Sequence, residues 1–247
     1  MVSASSYDEI AGMYHRLWAD WYLPAAMPAL DRLFFAQVPP GCRVLDLCCG
    51  SGHVTKELLA RGYEVTGVDS SAALIEHARE ALPGVRFIVQ DVRELQLETQ
   101  FDAILSTFDS LNHILTLDGL RQVLLRARGV LRPGGLFVFD MNLEEAYSAD
   151  LQDWAVTVDA DNVTLVRGKF DAASQTGATE LIWFVRNANG DNAWRQRRSV
   201  VEERCYPQSD IVLAARDAGF EDIESVAATE VGMQSTLGFG RFFFSVR

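Results

Sequence analysis

The chain has 247 residues, 49% of them hydrophobic, with 34 acidic against 22 basic residues and a net charge of −12. A sizeable core is therefore available, but the acidity disfavours DNA or RNA, whose phosphates select basic surfaces. No apolar run approaches the ~20 residues of a membrane-spanning helix, and Met1-Val2-Ser3-Ala4-Ser5-Ser6-Tyr7 lacks the basic start and apolar centre of a secretory signal.

In chain order, residues 7 to 37 read as two helices split at Leu23-Pro24, with Pro24 in the first turn of the second. The first carries Ile10, Met13, Tyr14, Leu17, Trp18 and Trp21 at helical spacing. A strand is expected at 43–48, a helix at 52–61, a strand at 64–68 and a helix at 71–81. The turn Pro83-Gly84 precedes a strand at 85–90. Further strands fall at 101–106 and 135–140, around a helix at 117–129. From 151 to 205 the pattern changes to Val156, Val158, Val163, Leu165 and Val166, then Leu181 to Val185, with a hairpin turn at Asn187-Ala188-Asn189-Gly190-Asp191-Asn192. This reads as an inserted antiparallel sheet of three or four strands. A helix at 208–218 and strands at 221–230 and 239–246 close the chain. The cysteines Cys42, Cys48, Cys49 and Cys205 show no zinc spacing, and reduced thiols in a cytoplasmic protein are expected.

Three apolar runs each end in a carboxylate: Val44-Leu45-Asp46, Val65-Thr66-Gly67-Val68-Asp69 and Phe87-Ile88-Val89-Gln90-Asp91. In a parallel sheet this places three acids along the carboxyl edge, where open α/β sheets bind ligands. Between the first two runs lies Cys48-Cys49-Gly50-Ser51-Gly52, a small-residue turn that lets ligand atoms approach the backbone. Dinucleotide enzymes share the strand–turn–helix–strand–acid order, but their third glycine is replaced here by Thr55. Asp46 also sits poorly beside a diphosphate and suits a ligand with an amino group or a sulfonium.

On these residues the chain resembles the class I S-adenosylmethionine-dependent methyltransferases. Asp46-Leu47-Cys48-Cys49-Gly50-Ser51-Gly52 resembles their glycine-rich motif, with Cys48 where the first glycine usually stands. Val68-Asp69-Ser70-Ser71 resembles the ribose-binding segment, and Gln90-Asp91-Val92 the adenine-binding segment. Phe101 to His113 is similar to the fourth strand and its loop, and Leu131 to Asp140 to the fifth strand. The resemblance implies a Rossmann-like α/β sheet of seven strands, mostly parallel with the last antiparallel, and helices on both faces. Around it stand an N-terminal helical lid (1–40) and the inserted sheet (151–205), the core being 41–150 and 206–247. It also implies S-adenosylmethionine as cofactor, held by Asp46, Cys48, Gly50, Ser51, Gly52, Asp69, Ser70, Asp91, Val92, Thr107 and Phe108.

Methyl transfer asks the protein mainly for position and electrostatics. His113, just past the fourth strand, is the candidate base, since an unperturbed imidazole titrates near neutrality. Tyr14 joins His113 as a catalytic candidate, and the resemblance implies that Tyr14, with Tyr7 as a second candidate, closes over the cofactor. Asp109, Asn112, Trp183, Arg195 and Arg197 are candidate acceptor contacts, and the loop 231–238 a candidate mobile wall. His15, His53 and His77 lack metal-ligand spacing, so no metal is expected. The expected acceptor is a small molecule, an amine ahead of a hydroxyl-bearing metabolite, with no nucleic-acid or membrane partner and a monomeric or homodimeric protein. The rivals are an NAD(P)-linked oxidoreductase, which would want a Tyr-x-x-x-Lys pair absent here, and a non-catalytic domain that only binds the cofactor.

Overall fold

The computed structural model describes residues 7–17, 19–148, 153–186, 193–234 and 237–247. Trp18 and the Asn187–Asn192 turn lie outside them. Helices α1 (Ala11–Leu17) and α2 (Ala19–Leu30) lead into β1 (Arg43–Leu47), α3 (His53–Ala60), β2 (Glu64–Asp69), α4 (Ala72–Ala81) and β3 (Arg86–Val89). Then come β4 (Phe101–Ser106), α5 (Leu117–Val130), β5 (Leu131–Asn142) and α6 (Glu144–Ser148). The strands β6 (Ala155–Val158), β7 (Asn162–Asp171), β8 (Thr176–Arg186) and β9 (Trp194–Arg204) follow, and α7 (Gln208–Asp217), β10 (Ile223–Ala227) and β11 (Arg241–Val246) finish the chain.

The seven-stranded sheet has the order β10-β11-β5-β4-β1-β2-β3, and only β11 runs against its neighbours. Alternation along the strands explains the two-sided core. Leu45, Leu47, Ile104, Phe137 and Phe139 point to the face covered by α5 and α7. Val44, Ala103, Leu105, Leu136 and Val138 point to the face covered by α2 and α3. The strands β1, β2 and β3 progress one way, and β4 returns to the other side of β1. That reversal opens a crevice at the carboxyl ends of β1 and β4.

Two expectations need correction. No helix break occurs at Leu23-Pro24: α2 continues through both Pro24 and Pro28. Both prolines are exposed and four residues apart, so the carbonyls they leave unbonded lie on the solvent side. The fifth strand begins at Leu131 rather than 135, because Phe101 pairs with Leu131 before the register shifts at Ala103.

The insert is a four-stranded antiparallel sheet in the order β6-β7-β8-β9. One face presents Leu181, Trp183 and Val201, which pack on Ile10 and Met13 of the N-terminal segment. On the other face Glu180 is held by Arg167 and Arg198. The N-terminal segment is also tied to the main sheet's helices: Asp8 accepts from the Ser71 hydroxyl at 2.7 Å and from the Ala73 N–H at 3.3 Å, at the start of α4.

Candidate active site

Two cavities occupy the crevice and share Tyr14, Cys48 and Phe108 as walls. The larger, about 370 Å³, is lined by Asp69, Ser70, Asp91, Val92, Tyr7 and His113 among others, a size in the range of small-molecule sites. The smaller, about 30 Å³, is lined by Asp46, Ser51 and Thr107 among others.

The turn after β1 builds their common wall. Cys48 has φ 62° and Gly50 φ 52°, both left-handed. For a residue with a side chain this conformation costs about 1–2 kcal/mol, so Cys48 carries strain where the resembled family places glycine. A Cβ on Gly50 would stand 3.4 Å from the Tyr14 ring, which therefore lies directly over the turn. Asp69 locks the turn from β2: its Oδ2 accepts from the Gly50 N–H at 2.9 Å and its Oδ1 from the Ser71 N–H at 2.8 Å. Each carboxylate oxygen has a further lone pair for a ligand hydroxyl. Burial raises the Asp69 carboxyl above its ordinary value, against these two backbone bonds. Asp46 accepts from the Thr55 hydroxyl of α3, and burial pushes its carboxyl up to about 7. Asp91 is gripped by the Arg93 guanidinium at 3.0 and 3.1 Å, which holds it below the usual carboxylate range.

The turn after β4 forms the opposite rim. Phe108 and Asp109 are left-handed, with φ 63° and 48°. Phe108 stacks on Tyr22 at 4.3 Å, and the Arg241 guanidinium lies 5.3 Å from the Tyr22 ring. Arg241 is 3% exposed and bonds both Asp140 and Asp109. Burial opposes its charge, yet the two carboxylates hold its pKa above the ordinary value. Tyr7, Tyr14, Phe108 and His113 make a run of ring contacts along the cavity, at 5.6 Å for Tyr7–Tyr14, 5.2 Å for Tyr7–His113 and 6.0 Å for Tyr14–Phe108. Such faces attract a cation.

A family model described as "Methyltransferase domain" matches residues 44–135. The putative methyltransferase YqeM of Bacillus subtilis is 24% identical over 99% of this chain and 95% of its own length. A S-adenosylmethionine-dependent methyltransferase from Clostridium acetobutylicum superposes with a TM-score of 0.79, at 21% identity over 98% of this chain and 99% of that one. Residues 44–135 thus match a methyltransferase domain, and the whole chain is similar in sequence to a methyltransferase relative and in fold to S-adenosylmethionine-dependent methyltransferases. The sugar N-methyltransferase KedS8 from Streptoalloteichus shares the fold with a TM-score of 0.79, at 20% identity over 100% of this chain and 96% of that one.

Several residues expected to meet the acceptor do other work in the structure. Asp109 turns inward to Arg241 and Asn142, because the left-handed turn carries its side chain toward the end of β5 and the start of β11. Asn112 is fully buried, and its amide ties the Asn142 and Arg204 carbonyls and the Asn142 N–H. Trp183 is 4% exposed and packed on Ile10 and Met13. Arg195 and Arg197 share the Trp183 face of the insert by register but are exposed and outside both cavities. In the 231–238 loop Val231 and Met233 are buried in the core rather than at a cavity, and Ser235 and Thr236 lie outside the described residues.

His15 stacks on His77 at 4.9 Å and stands 5.2 Å from His53, three positions that sequence spacing did not connect. Among the described residues no group of three or more His, Cys, Asp or Glu could hold a metal. Sequence reasoning also passed over Arg93, Glu203 and Arg241. Arg241 had one signal, a charge opening the apolar run Arg241-Phe242-Phe243-Phe244.

Proposed function

We propose that this methyltransferase transfers a methyl group to the nitrogen of a small amine, on the scale of an amino sugar. The observation that carries the reading is the charge of the cavity walls. Among the described lining residues the one arginine, Arg93, is already forked onto Asp91. A carboxylate acceptor would enter without a counter-charge, which is costly in a partly desolvated site. An ammonium or neutral amine meets the aromatic faces of Tyr7, Tyr14 and Phe108 instead. The likeness to a sugar N-methyltransferase supports the same reading.

When bound, S-adenosylmethionine supplies an electrophilic methyl carbon on a sulfonium. The chain's residues fit that group. Asp69, with one acceptor site left on each oxygen, receives the ribose hydroxyls, with Ser70 beside it. Asp91 and Val92 face the adenine. Gly50, Ser51 and Gly52 admit the methionine part, whose ammonium is matched by Asp46. Cys48, Thr107 and Phe108 flank the sulfonium, and Tyr14 covers the turn from above. His113 serves as the base for the acceptor nitrogen. The test supplies methyl-labelled S-adenosylmethionine with matched amino, hydroxy and carboxy derivatives of one hexopyranose, read by mass spectrometry. Label on the amino compound is expected. Label on the hydroxy or carboxy compound, with none on the amino compound, overturns the reading.

A further inference from the structure

Four residues from distant parts of the chain meet at one wall of the larger cavity. The Tyr7 hydroxyl lies 2.9 Å from His113 Nε2, and His113 Nδ1 lies 3.0 Å from the Glu202 carbonyl oxygen. Glu203 Oε1, on β9, is 3.9 Å from His113 Nε2, while its Oε2 accepts from the Tyr147 hydroxyl of α6 at 2.6 Å. The His113 and Glu203 side chains are 21% and 15% exposed. Room for Tyr147 comes from Gly177, the β8 partner of Glu203, where a Cβ would sit 2.6 Å from the Tyr147 ring.

Hydrogen-bond roles follow from the carbonyl, which only accepts. Nδ1 therefore carries the imidazole proton, Nε2 is the acceptor in the neutral ring, and the Tyr7 O–H donates to it. Tyr7 and His113 line the cavity, whereas Glu203 and Tyr147 stand behind them. A phenolic hydroxyl is a donor and an acceptor at once, which is what a relay through Tyr7 requires.

We propose that Tyr7, His113 and Glu203 form a proton relay for the acceptor ammonium, in which Tyr7 touches the acceptor and Glu203 is the counter-charge of the imidazolium. This rests on the amine reading above. One N–H bond of the ammonium breaks as its proton passes to the Tyr7 oxygen, while the Tyr7 proton passes to His113 Nε2. The freed nitrogen pair then forms the N–C bond to the methyl carbon, and the C–S pair stays on sulfur. The imidazolium later returns its proton to solvent. Tyr7 never needs to ionise: burial, followed by the fields of Tyr14, Glu203, Asp109 and Asp69, raises its hydroxyl well above the ordinary value. Among the described residues, charged or titratable groups that act on His113 include Tyr7, Asp69, Asp109 and Glu203, with Tyr147 behind Glu203. Glu203 is a positioning residue, acting through His113. Tyr147 fixes its carboxylate.

The test has two parts. The first follows the His113 imidazole by NMR against pH in protein saturated with S-adenosylhomocysteine, a tractable assignment in a chain with four histidines. Glu203→Gln should lower the pH of half-titration by about one unit, as expected for an opposite charge ~4 Å away. Glu203→Asp should restore part of it. The second part measures turnover of an amine that wild type methylates. Glu203→Gln should move the acid limb of kcat to lower pH, and Tyr7→Phe should lower kcat by about 100-fold with KM within a few-fold of wild type. An unmoved His113 titration in Glu203→Gln overturns the relay. A wild type that methylates no amine refutes the acceptor reading instead, and the titration still decides whether Glu203 acts on His113.

Discussion

Replacing Arg241 with Met should unlock the rim of the active site. The guanidinium is buried between Asp109 and Asp140, both also buried. Removing one partner of a buried ion pair costs about 3–5 kcal/mol, because the remaining charge loses its compensation. Here two carboxylates lose it, so the upper part of that range applies. For a chain near 250 residues each kcal/mol moves Tm by roughly 2–4 °C, which for about 4–5 kcal/mol gives a drop of about 8–20 °C. Burial already raises both carboxyls above their ordinary values. An acid whose folded pKa exceeds its unfolded pKa loses stability as pH rises from the unfolded toward the folded value. The deficit of Arg241→Met should therefore be largest at pH 8 and shrink on acidification, as Asp109 and Asp140 take up protons. Adding Asp140→Asn should recover part of the loss. The left-handed turn at Phe108 and Asp109 costs about 1–2 kcal/mol per residue and is held by this cluster. Affinity for S-adenosylhomocysteine should consequently fall even where the variant is fully folded. The assays are near-UV circular dichroism melts at pH 5.5 and 8 and calorimetry at low temperature. A variant melting within about 2 °C of wild type at pH 8 would show that the buried cluster is not what holds the turn.

Three further outcomes follow from the cofactor side. Asp69→Ala should weaken S-adenosylhomocysteine by at least about 100-fold, since hydrogen bonds to a charged group contribute roughly 1.5–3 kcal/mol each; equilibrium dialysis reads this, and unchanged affinity removes Asp69 from the ribose role. Gly50→Ala should reduce affinity and cost about 1–2 kcal/mol of stability, from the left-handed φ and the added contact with Tyr14; urea melts check it. The Asp46 carboxyl, at about 7 in the free protein, must be ionised to match a ligand ammonium. Affinity should rise with pH through about 7 and level off above, with proton release on binding below 7, measured by calorimetry in buffers of different ionisation enthalpy. Its raised folded pKa also means that the ligand-free protein loses stability as pH rises from about 4 to about 7.

The legibility of this fold differs sharply between its two halves. Asp46, Asp69 and Asp91 each end an apolar run, so the carboxyl edge of a parallel sheet could be read directly, and the β1 turn with it. The proposed acceptor side has no such local code. His113, Tyr7, Tyr147 and Glu203 come from four elements that only the packing of the insert on the N-terminal segment brings together. Glu203 carries no signal of its own among the charges of Val201-Glu202-Glu203-Arg204. Asp109 and Asn112 sit in the expected loop, yet two left-handed residues turn that loop inward, and neither Phe nor Asp announces positive φ as glycine does. The prolines of α2 misled for the opposite reason: their local preference for a helix start yields to a position on the solvent face, where a lost hydrogen bond is replaced by water.

The most direct test of the central claim is calorimetric titration of the purified protein with S-adenosylhomocysteine, with NAD and NADP titrated in parallel. One saturable site per chain for S-adenosylhomocysteine, and no heat from either dinucleotide, is the expected result. Binding of a dinucleotide, or no binding of S-adenosylhomocysteine, would contradict the assignment of Asp46, Asp69 and the Gly50 turn to a methyl donor.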